Sequence, residues 1–360
     1  MTAPRPKSTI LEIEPYRPGR AMAPGFEHPI KLSANENALG CSPRARAAYL
    51  AASTALHLYP DPRASALRAA LARKHGLDPD RIVFGTGSDE IFSMACQAYL
   101  RPGDVMVQPQ FAFAAWAIAA RAAGAEVRSA AERDHTVDVD AMLAAVDART
   151  RVIFIANPAN PTGTVLPHSE IVRLHEGLPR DVLLVIDGAY AEFGGGEVTF
   201  AAFSAAPNVL ITRTFSKLYG LASLRIGWGY APVAIADTLN RIRLPFNTPA
   251  PAQAAALAAL EDEAFTASSV AHVVRGRTQL ERDLRDLGLT PIPSATNFVT
   301  ARFPPTAALT AEQTLDRLAQ RGILARGLAG YGMPDCLRIT IGAEPEMGKL
   351  GTALQSLLAA

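Results

Sequence analysis

The run Val182-Leu183-Leu184-Val185-Ile186-Asp187-Gly188-Ala189-Tyr190 holds five apolar residues followed at once by a carboxylate, a glycine and an aromatic. Alternating apolar and polar residues mark a strand with one wet face, whereas a continuous apolar run marks a strand buried on both faces. The same pattern returns at Val105-Met106-Val107 and at Arg151-Val152-Ile153-Phe154-Ile155, and helical periodicity separates the runs, from Phe111 to Ala123 and again from His168. Two-sided burial with strands and helices in alternation predicts an α/β fold. A mostly parallel central sheet is sandwiched by helices, and its chemistry sits at the carboxyl ends of the strands.

Asp187 closes such a run, so it is expected to be partly desolvated and to need a cationic or hydrogen-bonding partner. A cap on the following turn would serve. So would a protonated pyridine nitrogen, and that pair would keep the ring an effective electron sink. Two further loops at strand ends are polar: Asn157-Pro158-Ala159-Asn160-Pro161-Thr162-Gly163, and the glycine-studded turn Thr212-Arg213-Thr214-Phe215-Ser216-Lys217, which continues through Arg225 to Gly229. Lys217 is either a solvated surface charge or a reactive amine beside an anion site of hydroxyls and an arginine. Upstream, the strand Arg81-Ile82-Val83-Phe84 leads through Gly85-Thr86-Gly87-Ser88-Asp89-Glu90 into a helix reaching Leu100. This order makes either a tight turn or a phosphate cradle at a helix N-terminus. It has neither the third glycine of a dinucleotide fingerprint nor the Gly-Lys-Ser/Thr of a Walker loop.

The chain has 360 residues, more than one typical core needs, so one large and one smaller domain are expected. A net charge of +1, without a Lys/Arg-rich run, offers no electrostatic footprint for nucleic acid. The three cysteines, Cys41, Cys96 and Cys336, are far apart and lack CxxC spacing, which implies neither a disulfide framework nor a metal site. The proline-rich N-terminus has no signal-peptide core, and no apolar run is long enough to span a bilayer, so a cytoplasmic protein is expected.

Prolines crowd residues 1–30, which suits an extended arm. Residues 31–248 then form the large domain, whose first residues are in reach of the smaller one. The cluster Pro245, Pro249 and Pro251 marks the boundary, and an alanine-rich helical region, 250–288, opens a smaller α+β domain over 249–360. In it, Arg338 stands between Leu337 and Ile339 in a strand. It is either an exposed strand charge or a fork aimed at a carboxylate. Asn35 and Asn37 lie in a turn-rich segment where they bond either backbone or ligand.

Taken in colinear order over nearly the whole chain, these segments resemble the fold-type I pyridoxal-phosphate aminotransferases and, within them, the histidinol-phosphate aminotransferase group. The resemblance is carried by Pro15-Tyr16, Ser33-Ala34-Asn35-Glu36-Asn37, Tyr59-Pro60-Asp61, Gly85 to Glu90, Asn160-Pro161-Thr162-Gly163, Asp187 with Tyr190, Ser216-Lys217, Arg225, Arg326, and Gly330-Tyr331-Gly332 through Leu337-Arg338-Ile339-Thr340. It implies pyridoxal 5'-phosphate as cofactor and Lys217 as the catalytic lysine that bonds its aldehyde and then shuttles a proton. Asp187 would partner the ring nitrogen, Tyr190 and Asn160 the ring hydroxyl, and Phe111 would stack on the ring. Ser88, Asp89, Thr214, Ser216 and Arg225 would hold the phosphate, joined by Tyr59 from a second subunit, which implies a homodimer with shared active sites. Tyr16, Asn35, Arg326 and Arg338 would bind substrate.

Three positions depart from the group's pattern: Phe111 stands for a tyrosine, Gly188 for an acidic or small residue, and Ala38 for a proline. The activity implied is exchange of an amino group between glutamate/2-oxoglutarate and histidinol phosphate/imidazole acetol phosphate. The partners are then a small-molecule amino donor and a 2-oxo acid, with no nucleic acid and no membrane. An aromatic amino-acid aminotransferase is the nearest alternative on the same scaffold. A phospho-amino-acid decarboxylase and a cofactor-free binding protein are further ones.

Overall fold

The structure is a computed structural model that describes residues 3–16, 18–194 and 200–358. Seven strands form the central sheet: β1 (Ile82–Gly85), β2 (Val105–Pro109), β3 (Glu126–Ala130), β4 (Thr150–Ala156), β5 (Leu183–Asp187), β6 (Val209–Thr214) and β7 (Gly227–Tyr230). They lie in the order β1-β7-β6-β5-β4-β2-β3. All neighbours are parallel except β7, which is antiparallel to both β1 and β6. Every residue of β5 is buried, as are Val152 to Ala156 of β4. Each large aliphatic side chain so enclosed stabilises the sheet by roughly 1.5–3 kcal/mol relative to exposure.

β7 lies inside the stretch that reads as a glycine-studded turn. Its glycines and aromatics alternate: Trp228 and Tyr230 pack into one core with Phe84 and Phe215, while Gly229 faces Leu210 and Ile91. Gly227 is needed for close approach, because a Cβ there would stand 2.5 Å from the Ser88 amide nitrogen. The glycines thus admit the helix Ser88–Tyr99 against the sheet, and a strand results where the glycine count suggests a loop.

A second, antiparallel sheet holds β8 (Thr290–Ile292), β9 (Phe298–Arg302), β10 (Arg326–Gly327) and β11 (Cys336–Thr340) in the order β8-β9-β11-β10. Its core joins Val299, Ala301, Leu337 and Ile339 to Leu350 and Leu354 of the last helix, Glu344–Leu358. Leu32 belongs to that core too, and Ile30–Lys31 pairs in parallel with Ile323–Leu324.

The alanine-rich region 250–288 is two helices, Ala250–Leu260 and Glu263–Asp286. Asp262 caps the second by accepting from the Phe265 amide at 3.2 Å and is also bonded by the Ser42 hydroxyl. Ala252, Ala255, Ala256, Ala259 and Leu260 pack with Leu67, Leu71 and Phe84, in the core of the seven-stranded sheet. The composition shift at 249 marks a change in helix propensity, and the packing partner changes inside the second helix, where Val273 still packs in that core while Leu280 and Leu284 join the core of the antiparallel sheet.

Candidate active site

The site is built where β1, β5 and β6 end. β1 turns at Gly87, in the left-handed region at φ 78°, into the helix Ser88–Tyr99, whose N-terminus carries no side-chain cap. The preceding loop is tied from inside. Glu90 Oε2 accepts from the Thr86 amide at 2.6 Å, the Thr86 hydroxyl at 3.0 Å and Asn247 Nδ2 at 2.7 Å. Sequence reasoning gave Glu90 no such work, because its partner Asn247 lies 157 residues away.

Arg225 reaches this helix end from the other side. Its backbone sits at φ 48°, which for a non-glycine residue costs roughly 1–3 kcal/mol. Its guanidinium donates to Asp89 Oδ2 at 2.9 Å and to the Ser216 hydroxyl at 3.3 Å, and the Thr214 hydroxyl accepts from the Ser216 amide at 3.1 Å. A guanidinium, three hydroxyls (Ser88, Thr214, Ser216) and an uncapped helix N-terminus thus converge, which is an anion site.

Deeper in, Asp187 is 6% exposed. One carboxylate oxygen accepts from the Ala189 amide at 3.0 Å and the Thr212 hydroxyl at 3.3 Å. Burial pushes its pKa up to about 7, and the nearby Asp89 charge adds to the rise. Among the described residues no lysine or arginine forms an ion pair with it. Lys217, half-buried, has its amine 3.3 Å from the Ala34 carbonyl and 5.8 Å from the centre of the Tyr190 ring. Burial first, and the charge of Arg338 second, pull its pKa down to about 8, bringing the uncharged amine within reach of neutral pH. Tyr190, pushed up to about 12 by burial, accepts at its hydroxyl from Asn35 Nδ2 at 2.8 Å. Asn35 is in turn locked to Thr340, so its side chain orients Tyr190 as well as lining the cavity.

On the opposite wall, Arg338 is buried at 6% exposure, so it is not an exposed strand charge. Its fork donates to Asn160 Oδ1 at 2.5 Å and to the Ser33 carbonyl at 3.0 Å, while its buried Nε has no partner among the described residues. Strand pairing sets Arg326 directly across from it.

A cavity of about 500 Å³ is lined by Tyr16, Asn35, Ser88, Asp89, Asn160, Asp187, Tyr190, Thr214, Ser216, Lys217, Arg225, Arg326 and Arg338. Two candidate residues are not among its walls. Phe111 precedes the helix, which begins at Ala114 and not at Phe111. Its amide donates to Glu132 Oε1 at 3.0 Å and its ring stacks on His135 at 5.8 Å, so the hairpin at 132–137 holds it aside. The aromatic wall is Phe113, two residues on, which contacts Tyr16 edge to face at 6.3 Å. Tyr59 is 82% exposed and stacks on Phe246 at 4.5 Å.

The residues fit pyridoxal phosphate. Asp187 is a buried carboxylate with two weak neutral donors and, among the described residues, no ion-paired cation, the partner a protonated ring nitrogen requires. The uncapped helix end beside Arg225 suits the phosphate, and the lysine between them carries a lowered pKa.

Fold and site together are those of the class I and II aminotransferases, and the sequence matches the family described as Aminotransferase class I and II over residues 27–357. Its full-length relatives narrow the class. The chain is 51% identical to histidinol-phosphate aminotransferase 1 of Caulobacter vibrioides, covering 95% of this chain and 96% of that one. It is 48% identical to the histidinol-phosphate aminotransferase of Rhodospirillum rubrum over 99% and 97% of the two chains. The crystal structure of histidinol-phosphate aminotransferase from Sinorhizobium meliloti, in complex with pyridoxal-5'-phosphate, superposes with a TM-score of 0.87 at 31% identity, covering 92% of each chain. The chain belongs to the histidinol-phosphate aminotransferase family.

Proposed function

We propose that the protein is a pyridoxal-phosphate-dependent aminotransferase that exchanges an amino group between glutamate/2-oxoglutarate and histidinol phosphate/imidazole acetol phosphate. The observation that carries the substrate is the cross-strand register of Arg326 and Arg338 on the wall facing Lys217. One guanidinium fork suffices for a carboxylate; two guanidinium groups, with the hydroxyls of Tyr16 and Tyr331 beside them, suit a phosphate dianion.

Bound pyridoxal phosphate supplies an aldehyde for the amino group and a ring that withdraws electrons as a carbon-bound proton leaves. Lys217 Nζ would hold the aldehyde and, once released, carry that proton. Asp187 would keep the ring nitrogen protonated, and Tyr190 and Asn160 would hydrogen-bond the ring hydroxyl. Ala189 and Phe113 line the cavity beside Asp187 and would enclose the ring, taking the role that the sequence suggests for Phe111. Ser88, Asp89, Thr214, Ser216 and Arg225 would seat the phosphate. Tyr16, Asn35, Arg326 and Arg338 would surround the substrate.

Tyr59 reaches its phosphate only in a homodimer, as Tyr59 of the partner subunit. Its exposure, and that of nearby Leu56, Leu58 and Leu244, supports such an assembly, which sedimentation would test. No described helix is long and apolar enough to cross a membrane. The three free cysteines suit the cytoplasm. For the domains, the packing supports an arm, a large unit whose core reaches Val273, and a small unit whose core takes in Leu280 and Leu284 and also Ile30 to Leu32.

The test is a comparison of kcat/KM for histidinol phosphate and phenylalanine. A second charge-assisted anchor is worth about 1.5–3 kcal/mol, so histidinol phosphate should win by roughly 10- to 100-fold. A preference for phenylalanine would make the protein an aromatic amino-acid aminotransferase, and release of carbon dioxide would make it a decarboxylase.

A further inference from the structure

Thr212 and Asp187 are register partners in β6 and β5, and their side chains share the face of the sheet that opens to the cavity. The next residue on each strand therefore turns to the opposite face: Arg213 on β6 and Gly188 after β5. There the two meet. A Cβ built on Gly188 would overlap the Arg213 guanidinium at Nη1. That guanidinium is itself buried, lies 4.9 Å over the Phe200 ring, and donates from Nη1 to the Thr212 carbonyl at 3.1 Å. The same carbonyl accepts from the Gly188 amide at 3.0 Å. A buried cation is thus clasped to the backbone that presents Asp187, in space that exists only because position 188 has no side chain.

We infer that Arg213 is a positioning residue for the ring end of the cavity: its charge acts across the sheet to hold Asp187 ionised, and Gly188 is the opening that lets it do so. The inference rests on the cofactor reading of Asp187. Asp89 faces Asp187 and opposes its ionisation, Arg213 favours it, and Thr212 and the Ala189 amide bond it. On the far face, Glu192 and Arg213 act in opposite senses on Tyr219, and Arg213 acts on His75. Removing the Arg213 charge leaves Asp89 less opposed, so Asp187 holds the ring nitrogen's proton less firmly and the ring withdraws fewer electrons.

The test is an absorbance titration of the reconstituted holoenzyme in the wild type and in Arg213→Met, Arg213→Lys and Gly188→Ala. Weaker electron withdrawal makes the nitrogen bonded to the cofactor more basic, so the pH midpoint of the visible band should rise in Arg213→Met by about half a unit. The dissociation constant for pyridoxal phosphate, read by fluorescence, should rise as well, by about threefold if the weakened ring-nitrogen pair loses roughly as much as half a pKa unit represents. Arg213→Lys should restore the midpoint even if its thermal midpoint falls. Gly188→Ala, which must displace the guanidinium, should shift the band in the same direction as Arg213→Met. A wild-type midpoint in both Arg213→Met and Gly188→Ala, whatever happens to their melting, would reduce Arg213 to a structural brace and overturn the inference. So would a midpoint in Arg213→Lys that moves as far as in Arg213→Met. A wild type that takes up no pyridoxal phosphate would instead overturn the cofactor reading on which this one stands.

Discussion

The two ends of the cavity each hold an aspartate, and the structure treats them in opposite ways. Asp89 is at the phosphate end, on a helix N-terminus, 48% exposed and bonded to Arg225 at 2.9 Å. Asp187 is at the ring end, 6% exposed, hydrogen-bonded among the described residues by an amide and a hydroxyl, with a pKa raised to about 7. The wet end is assembled from charges that satisfy one another before any ligand arrives. The dry end is left electrostatically incomplete, so a cationic ring nitrogen has something to gain there. Binding strength can come from either end, but control of a proton needs the dry one.

The largest break in this contrast is at Lys217, the base of the dry end. Lys217→Ala should lower kcat for transamination by at least about 10³-fold, since it removes the group proposed as both nucleophile and proton carrier. Steady-state rates with histidinol phosphate and 2-oxoglutarate measure this, and a residual rate within tenfold of wild type would remove Lys217 from the chemistry.

The pH dependence of the apo-protein sharpens the contrast next. Asp187 has a folded value near 7 against 3.8 unfolded, so between those limits the folded chain binds more protons and stability falls as pH rises. Lys217 has a folded value near 8 against 10.5, so across that window the unfolded chain binds more protons and stability rises with pH. Thermal melts of the apo-protein from pH 4 to 10 should show both slopes. Asp187→Asn should flatten the acid slope alone, and Lys217→Met the alkaline one alone.

Arg338 belongs with the dry end by its burial, although it is proposed to bind substrate. Arg338→Lys keeps a charge but loses the planar fork that bonds Asn160 and Ser33, so KM for 2-oxoglutarate should rise roughly 10- to 100-fold. An unchanged KM would place the carboxylate elsewhere.

Much of this contrast is legible in the sequence, because Asp187 stands at the close of an apolar strand and the wet-end residues sit in glycine or hydroxyl turns. What escapes it is set by distant partners. Phe111 and Phe113 are equivalent on paper, and only Glu132 and His135, in a hairpin more than twenty positions on, hold the first ring aside. Gly227-Trp228-Gly229-Tyr230 looks like a turn because its two glycines answer to the helix Ser88–Tyr99, whose approach no local pattern announces. The alanine run changes propensity at 249, whereas the packing changes between Val273 and Leu280, inside one continuous helix where no composition shift marks it. Arg213 and Gly188 are 25 positions apart in chain order, and their relation follows only from the register of β5 and β6.

The smallest expected effect is at the wet end itself. The Arg225–Asp89 pair is about half exposed on both sides, a setting in which an ion pair contributes about 0–1 kcal/mol. Asp89→Asn should therefore cost the apo-protein no more than that at low salt, and the difference should shrink in concentrated salt as screening removes what the pair supplied. Its consequence at the dry end is of a different kind. Asp89 is one of the groups that raise Asp187, so neutralising it should move the acid slope of the melting curve to lower pH, although no contact of Asp187 has been touched. A slope that stays in place would mean that the two aspartates do not sense each other and that burial alone sets the dry end.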